Sequence, residues 1–346
     1  MHPSSRASNK YVQHKLILQD RSLLILLLII VVTLILQITL GGVVRVTGSG
    51  EGCPDWPQCF GRWYPPFEYH AILEYSHRSL GSLAGICVII TTTIAWIKYR
   101  EVRSLTWVLS GCLVLIAIVG GLGGAVVISE LDPAIRTVHL LLAEIVVLLA
   151  VFALVAATYT RRGASGTSSP WIWGRVSDEH RATLNLVAIT AILTLISLLS
   201  GSYAVWREAG AVCNTWPLCG GRIIPESELV WIHLTHRLLS LVTIGAVLLA
   251  GHRAWRLPNT SGALRATALT SAFLIFAQLL TGAANPWTDF AEWARVGHLS
   301  MATLVWANMV FIIALILRPV RRGMPPEDAE KVIDARTTGT SFVQTG

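Results

Sequence analysis

The chain has 346 residues, of which 53% are hydrophobic and only 14% are charged. Together with a mean hydropathy of +0.59, this composition excludes a soluble enzyme and indicates an integral membrane protein in a lipid bilayer. The formal net charge is +7, and the basic residues are grouped in particular connecting segments, as membrane topology requires. No basic stripe typical of nucleic-acid binding is present, so we expect no nucleic-acid partner.

Eight apolar segments, each long enough to cross a bilayer, follow a polar N-terminal tail at residues 1–21. The first segment, Ser22–Val44, has no charged residue and is too long for the core of a cleaved signal peptide. The other seven are Ser79–Ile97, Ser104–Ser129, Thr137–Thr160, Ala182–Trp206, Leu229–Gly251, Ala266–Trp287 and Val296–Leu317. The sequence therefore predicts an all-α membrane protein with eight transmembrane helices.

The second half of the chain repeats the first at a distance of 159 residues for the helices and 160 for a cysteine-containing loop. The matched pairs are His77 with His236, Arg78 with Arg237, Arg136 with Arg295, His139 with His298, Cys53 with Cys213 and Cys59 with Cys219. We predict two tandem four-helix bundles, 22–160 and 182–318, joined by a cytoplasmic linker at 161–181. Because each half has an even number of helices, a pseudo-twofold axis along the membrane normal relates them, which excludes an inverted repeat.

Basic residues predict the orientation. The N-terminal tail, three alternate connections and the C-terminal tail together hold 19 of the 27 lysines and arginines. We therefore expect both termini in the cytoplasm and both cysteine loops outside. The tail at 319–346 is polar, and we expect it to be disordered.

Four histidines lie near the outer ends of the even-numbered predicted helices, at comparable depth: His77, His139, His236 and His298. A lone histidine in a membrane helix is more often a hydrogen-bonded structural residue than a ligand. Four at equivalent positions of a repeat favour axial binding of haem iron by pairs of imidazoles. No carboxylate or thiol repeats beside them, which disfavours a zinc or copper site.

Four arginines on the outer side depart from the charge asymmetry and accompany the histidines: Arg78, Arg136, Arg237 and Arg295. Guanidinium groups bind carboxylates through two hydrogen bonds, so these residues are candidates for binding the propionates of haem. The alternative is that they extend to lipid phosphates, as arginines near helix ends often do.

The two cysteine pairs lie in short outer loops that share a Trp-Pro sequence, and each pair has five residues between its sulfurs. Local disulfides Cys53–Cys59 and Cys213–Cys219 are expected in an oxidising compartment, either as structural links or as a redox-active pair.

One position distinguishes the halves. Glu74 lies three residues before His77, whereas His233 occupies the matching position before His236. Either Glu74 is a cap or pairs with Arg78, or the first half is specialised for catalysis. A second carboxylate, Glu144, lies within a predicted helix and has no assigned role.

The sequence Gly41-Gly42-Val43-Val44-Arg45-Val46-Thr47-Gly48-Ser49-Gly50, the cysteine loop and Glu74-Tyr75-Ser76-His77-Arg78 together resemble the haem A synthase family, in its cysteine-bearing prokaryotic branch. The resemblance covers about Ser22–Leu317. It implies a bacterial plasma-membrane enzyme that oxidises the C8 methyl group of haem O to a formyl group, with water as the oxygen source, to give haem A for terminal oxidases.

The resemblance also implies roles for individual residues. His77 and His139 would receive the substrate haem, with Arg78 and Arg136 beside it, and Glu74 would be catalytic. His236 and His298 would bind a resident haem b, with Arg237 and Arg295 beside it. Haem O synthase and the terminal oxidase assembly machinery are possible partners, and the electron acceptor is unknown.

Two other functions fit the same residues. One is a quinone-linked membrane cytochrome with two haems and redox-active outer cysteines, and the other is a non-catalytic haem carrier. The pigment extracted from expressing cells distinguishes them from the synthase, because only the synthase produces a formyl haem.

Overall fold

The computed structural model of the protein describes residues 4–160, 177–220, 224, 227–258 and 260–317. Within these ranges it contains eight α-helices long and apolar enough to cross a membrane, which confirms the predicted class. The helices are α1 (Ser4–Val46), α2 (Tyr69–Lys98), α3 (Arg103–Ile128), α4 (Pro133–Thr160), α5 (Asp178–Trp206), α6 (Glu228–Arg256), α7 (Gly262–Trp287) and α8 (Glu292–Ile316). Most of the predicted linker and the whole tail at 319–346 lie outside the described residues.

Most helices begin earlier than the apolar segments predicted. Helix α2 begins at Tyr69 because the Glu68 side chain caps it, accepting a hydrogen bond of 2.9 Å from the Ala71 amide. Serine side chains cap α5, α6 and α7 in the same way. Hydropathy detects only the apolar part of a helix, whereas a polar cap allows the helix to begin several residues before that part. As a result Glu74 and His77 both lie inside α2. Helix α1 also begins before its apolar segment, at Ser4 in the predicted tail.

The four helices of each half contact one another in a ring. In the first half α1 contacts α2, α2 contacts α3, α3 contacts α4 and α4 contacts α1; the contacts among α5, α6, α7 and α8 follow the same order. The halves meet where α1 and α4 contact α8 and where α4 contacts α5. Helices α1, α4 and α8 therefore carry side chains from both halves into one interface.

A buried polar contact lies at this interface. Glu144 of α4 is fully buried, and its Oε1 accepts a hydrogen bond of 2.6 Å from the Thr303 hydroxyl of α8. The Trp306 indole of α8 also donates to the Glu144 main-chain carbonyl, at 3.0 Å. Glu144 and Thr303 are 159 residues apart, so they are equivalent positions of the repeat that contact each other. Glu144, which had no assigned role in the sequence analysis, thus lies in the contact between the two halves.

Candidate functional site

The four histidines lie on α2, α4, α6 and α8, as predicted, and form two pairs. In the second half the ring centroids of His236 and His298 are 6.4 Å apart, and the rings are perpendicular. Two imidazoles that bind one metal ion from opposite sides, with bonds of about 2.0 Å, have centroids roughly 6.3 Å apart. In the first half His77 and His139 are close enough for their charges to interact. The second pair therefore has the spacing that axial ligation of one iron requires.

Each imidazole packs against a glycine of the preceding helix. A Cβ atom added to Gly41 would lie 3.0 Å from Cε1 of His77, and at Gly201 the distance to Cε1 of His236 would be 2.9 Å. Gly123 and Gly282 approach His139 and His298 in the same way, at 3.4 and 2.9 Å. These glycines repeat at 160 and 159 residues, a signal that our reading of the sequence missed.

A main-chain carbonyl, one helical turn before each glycine, also interacts with the imidazole. The carbonyls belong to Gln37, Val119, Ser197 and Gln278. At three of the histidines the buried Nδ1 atom has no regular hydrogen-bond partner; these are His77, His139 and His298. At the fourth, the Ser200 hydroxyl lies 2.8 Å from Nδ1 of His236. Carbonyl and hydroxyl groups in these positions orient ligating imidazoles in metal sites, so the surroundings fit haem ligands.

The side chain of Gln37 stands at the other nitrogen of His77. Its Nε2 lies 3.4 Å from Nε2 of the imidazole. A ligand entering the first pair would therefore displace this amide, whereas the Ser200 contact in the second pair leaves Nε2 of His236 free of that obstacle.

Glu74 is 3% exposed and is held at both oxygens. Oε1 accepts a hydrogen bond of 2.6 Å from Arg78 Nη2, and Oε2 accepts one of 2.9 Å from the Cys53 amide. The pairing with Arg78 that the sequence left open is thus present. It fixes the carboxylate between α2 and the first cysteine loop, one helical turn from His77.

Arg78 and Arg237 bind the cysteine loops. Arg78 donates to the carbonyls of Cys53, Asp55 and Gln58 at 2.6–2.9 Å. Arg237 makes similar contacts in the second half, to the carbonyls of Cys213, Thr215 and Pro217. Both guanidinium groups therefore position a loop, a role that the sequence did not suggest. Binding of propionates by these two arginines stays a prediction.

Both predicted disulfides are present. The S–S distances are 2.01 Å for Cys53–Cys59 and 2.22 Å for Cys213–Cys219. In the first loop the Asp55 carboxylate accepts hydrogen bonds from the amides of Gly61 and Phe60, at 2.7 and 2.6 Å. These amides, Gly61 first, hold the pKa of Asp55 below its usual range.

The first loop also reaches the next histidine. The Trp56 indole packs on Gly124 of α3, where an added Cβ would lie 2.8 Å from the ring. Gly124 follows Gly123, the residue that packs against His139. The first cysteine loop therefore contacts residues next to both histidines of the first half. It contacts Glu74 and Arg78 near His77, and Gly124 near His139.

The second half has no carboxylate equivalent to Glu74. His233 occupies the position, and its Nδ1 lies 2.8 Å from the Ala209 carbonyl. Arg136 and Arg295 have buried Nε atoms without a hydrogen-bond partner, and so does Arg45, which the sequence had not singled out. The two halves thus share the histidines, the loops and the paired arginines, but they differ at Glu74, whose counterpart is His233.

Comparison with known proteins identifies the family. The model of the COX15-CtaA family, described as "Cytochrome oxidase assembly protein", matches residues 24–72 and 66–310. The chain belongs to this family. The match contains all four histidines, both cysteine loops and Glu74, and it confirms the resemblance that the motifs suggested.

Several bacterial relatives named "Heme A synthase" are similar over most of their length. The protein of Alkalihalophilus pseudofirmus is 28% identical over 81% of this chain and 92% of its own. That of Symbiobacterium thermophilum is 28% identical over 84% of this chain and 93% of its own. That of Geobacillus kaustophilus is 26% identical over 83% of this chain and 89% of its own.

Proposed function

We infer that this protein is a haem A synthase, an oxidoreductase that converts haem O to haem A. The observation that carries this inference is a buried carboxylate, Glu74, fixed one helical turn from a histidine in only one of two similar sites. A simple electron-transfer cytochrome does not need that asymmetry. Family membership over residues 24–310 and the names of the relatives agree with it.

The reaction requires the removal of electrons and the addition of water. Conversion of the methyl group and one water to a formyl group releases four protons and four electrons, and the electrons leave to an acceptor of unknown identity. We propose that His77 and His139 bind the iron of the substrate haem, which places its macrocycle beside Glu74.

Glu74 is the catalytic group in this proposal. A fixed anionic carboxylate stabilises positive charge that develops at the methyl carbon, and it can accept a proton as water adds. Arg78 and the Cys53 amide favour the ionised form because both donate hydrogen bonds to it. The loop disulfide contributes indirectly, since Cys53 provides one of these donors.

The second pair, His236 and His298, would hold a resident haem b. Its 6.4 Å centroid spacing and its glycine contacts fit such a group. When bound, a haem there supplies one-electron transfer. His233 provides no carboxylate at this site, so we expect no oxidation of a methyl group there.

The propionates would be bound by the nearby arginines. Arg136 serves the substrate haem and Arg295 the resident haem, because both have free buried Nε–H groups. Arg78 uses both Nη atoms for Glu74 and the first loop, which leaves its Nε–H for a propionate. Arg237 binds the second loop through both Nη atoms in the same way.

We also propose that a pseudo-twofold axis along the membrane normal relates the two halves. The matching helix contacts of the halves and the contact between the equivalent residues Glu144 and Thr303 support this arrangement. The distribution of basic residues supports a cytoplasmic location for both termini. Haem O synthase, as the source of substrate, and the terminal oxidase assembly machinery remain proposed partners.

Pigment analysis tests the proposed function. Cells that produce haem O and express the wild-type chain should yield haem A. Glu74→Gln keeps the size but removes the charge, so haem A formation should fall roughly 100-fold or more, with haem O or a hydroxylated haem accumulating. The matched control is Glu228→Gln, which alters an exposed carboxylate paired with Arg207.

Two results would count against the proposal. Unchanged haem b from wild-type cells, with no formyl haem, supports a cytochrome or a carrier. Wild-type haem A levels in the Glu74→Gln variant would eliminate Glu74 as the catalytic group.

A further inference from the structure

Three arginines form a group at the end of the bundle that carries the cysteine loops. Arg45 lies in the last turn of α1, while Arg136 and Arg295 lie in the first turns of α4 and α8. The charge of Arg45 interacts with the charges of both others. All three Nε atoms are buried and have no hydrogen-bond partner. We call these residues the arginine cluster.

No carboxylate neutralises the arginine cluster among the residues that the structure describes. The ion pairs among the described residues join Glu74 to Arg78, Glu101 to Arg100 and Glu228 to Arg207. None of them includes a residue of the arginine cluster. Burying an unpaired charge is costly, and several like charges together add mutual repulsion. An anionic ligand would offset this cost, and guanidinium groups suit one with carboxylate or phosphate oxygens.

Arg45 lies between the two histidine pairs. It follows Gly41, the glycine that packs on His77, by one helical turn, and its charge also acts on His298. Helices α1 and α8 approach closely here, since a Cβ added to Gly42 would lie 2.9 Å from Leu299 Cδ2.

The other half has no equivalent of Arg45. The position 160 residues later is Val205, whereas Arg136 has its counterpart in Arg295. A direct contact joins Arg295 to the end of α1, because its Nη2 donates to the Val46 carbonyl at 3.3 Å. One arginine of the first half thus stands where the two candidate haem sites meet.

We propose that Arg45, with Arg136 and Arg295, forms one carboxylate-binding site that the two haems share, with a propionate from each contacting Arg45. This inference rests on the proposed function, because it assumes that both histidine pairs bind haem. Its consequence is coupling between the sites: the charge state at one haem influences the binding and the reduction of the other.

Purified full-length protein carrying its resident haem allows a test that does not depend on turnover. The variants are Arg45→Gln, which removes the charge, and Arg45→Lys, which keeps it. The control is Arg207→Gln, which removes an arginine at the same end of the bundle that pairs with Glu228. Two quantities are measured for each: the midpoint potential of the resident haem, and the dissociation constant of added haem O from absorbance titration.

Arg45→Gln should shift both quantities. Loss of a nearby positive charge favours the ferric form, so we expect about a tenfold change in the ferric-to-ferrous equilibrium, a fall of about 59 mV for one electron. Haem O should bind about tenfold more weakly, because a charge-assisted contact is lost. Arg45→Lys should retain most of both properties, and Arg207→Gln should match the wild type.

Other outcomes overturn the inference in distinguishable ways. A shift in only one quantity shows that Arg45 serves one haem, and no shift in either excludes it from both sites. If the effect of Arg45→Gln appears only when phosphatidylglycerol is added to the detergent, a lipid phosphate is the ligand. If His298→Ala retains the resident haem spectrum, the haem assignment itself fails, whatever Arg45 does.

Discussion

At the residue scale, the position of each imidazole depends on a glycine in the neighbouring helix, because a larger residue there would leave no room for the ring. Gly282 approaches His298 so closely that an added Cβ would lie 2.9 Å from Cε1. Nothing lies within 4 Å of an added Cβ at Gly245 of α6. The two positions therefore separate the effect of contact with the histidine from the general effect of glycine replacement in a membrane helix.

Gly282→Ala should displace the His298 ring and lower the content of resident haem severalfold. Gly245→Ala should leave it at the wild-type level. The ratio of haem to protein in the purified variants measures the effect. Equal haem contents in the two variants would show that the glycine contact does not position the ligand.

The Glu144 carboxyl supplies a second test at the residue scale. Thr303→Val removes the hydroxyl that donates to Oε1 and leaves a fully buried carboxyl without that partner, at a cost of about 1–3 kcal/mol. Thr303→Ser keeps the hydroxyl and is the matched control. Thermal unfolding in detergent should show a lower Tm for the valine variant than for the serine variant, and identical values would mean that the contact does not stabilise the interface.

The sequence predicted the histidines, cysteines and Glu74 because these residue types carry chemistry and recur at a fixed spacing. It did not predict the role of Gly41 or Gly282, since a glycine in an apolar helix is common and its neighbours depend on helix packing. Arg45 escaped notice for a related reason. It has no counterpart in the second half, and a repeat reveals only what is repeated.

At the scale of elements, the first cysteine loop and α2 form one unit. Arg78 binds three loop carbonyls, Glu74 binds the Cys53 amide, and Asp55 closes the loop on itself. The apolar pattern predicted α2 from Ser79, whereas the helix begins at Tyr69, because capping at Glu68 is a polar interaction that hydropathy ignores. The apolar pattern therefore could not predict that the first cysteine loop and α2 form one unit.

The stabilising effect of Asp55 should depend on pH. Its pKa in the folded protein lies below the ordinary value of 3.8, mainly because the Gly61 amide donates to it. A lowered pKa stabilises the fold above the unfolded-state value, and this contribution is lost as the pH falls through the folded-state value. Asp55→Asn should therefore lower Tm at pH 7, and the difference from wild type should shrink as the pH falls below about 4.

Thr215 provides the control for this experiment. It occupies the matching position in the second loop, and its hydroxyl accepts a hydrogen bond of 2.7 Å from the Gly220 amide. Because a hydroxyl does not titrate in this range, the effect of Thr215→Val should not change with pH. A constant Asp55→Asn difference across the same range would contradict the assigned role of the carboxylate.

At the scale of the whole molecule, the eight helices and their order followed from apolar length alone, and the repeat predicted which histidines correspond. The contact between Glu144 and Thr303 could not be predicted, since it requires knowledge of which helices meet between the halves. The same holds for α1 and α8, whose close approach at Gly42 places Arg45 near the other half.

Orientation in the membrane is testable with the natural cysteines. After reduction, a membrane-impermeant thiol reagent added to intact cells should label Cys53, Cys59, Cys213 and Cys219, because the basic residues predict that their loops lie outside. Cys112 lies within the membrane-spanning helix α3 rather than in an outer loop, and it serves as the unlabelled internal control. Labelling of the loop cysteines only in inverted vesicles would reverse the proposed topology.

The central claim is a division of labour between two similar halves, and the spectrum of the resident haem tests it most directly. His236→Ala and His298→Ala each remove one member of the pair whose ring centroids are 6.4 Å apart, so each purified variant should lose the b-type haem spectrum. His77→Ala removes a ligand of the substrate site and should retain most of that spectrum while forming no haem A. Equal loss of the spectrum in all three variants would contradict the claim.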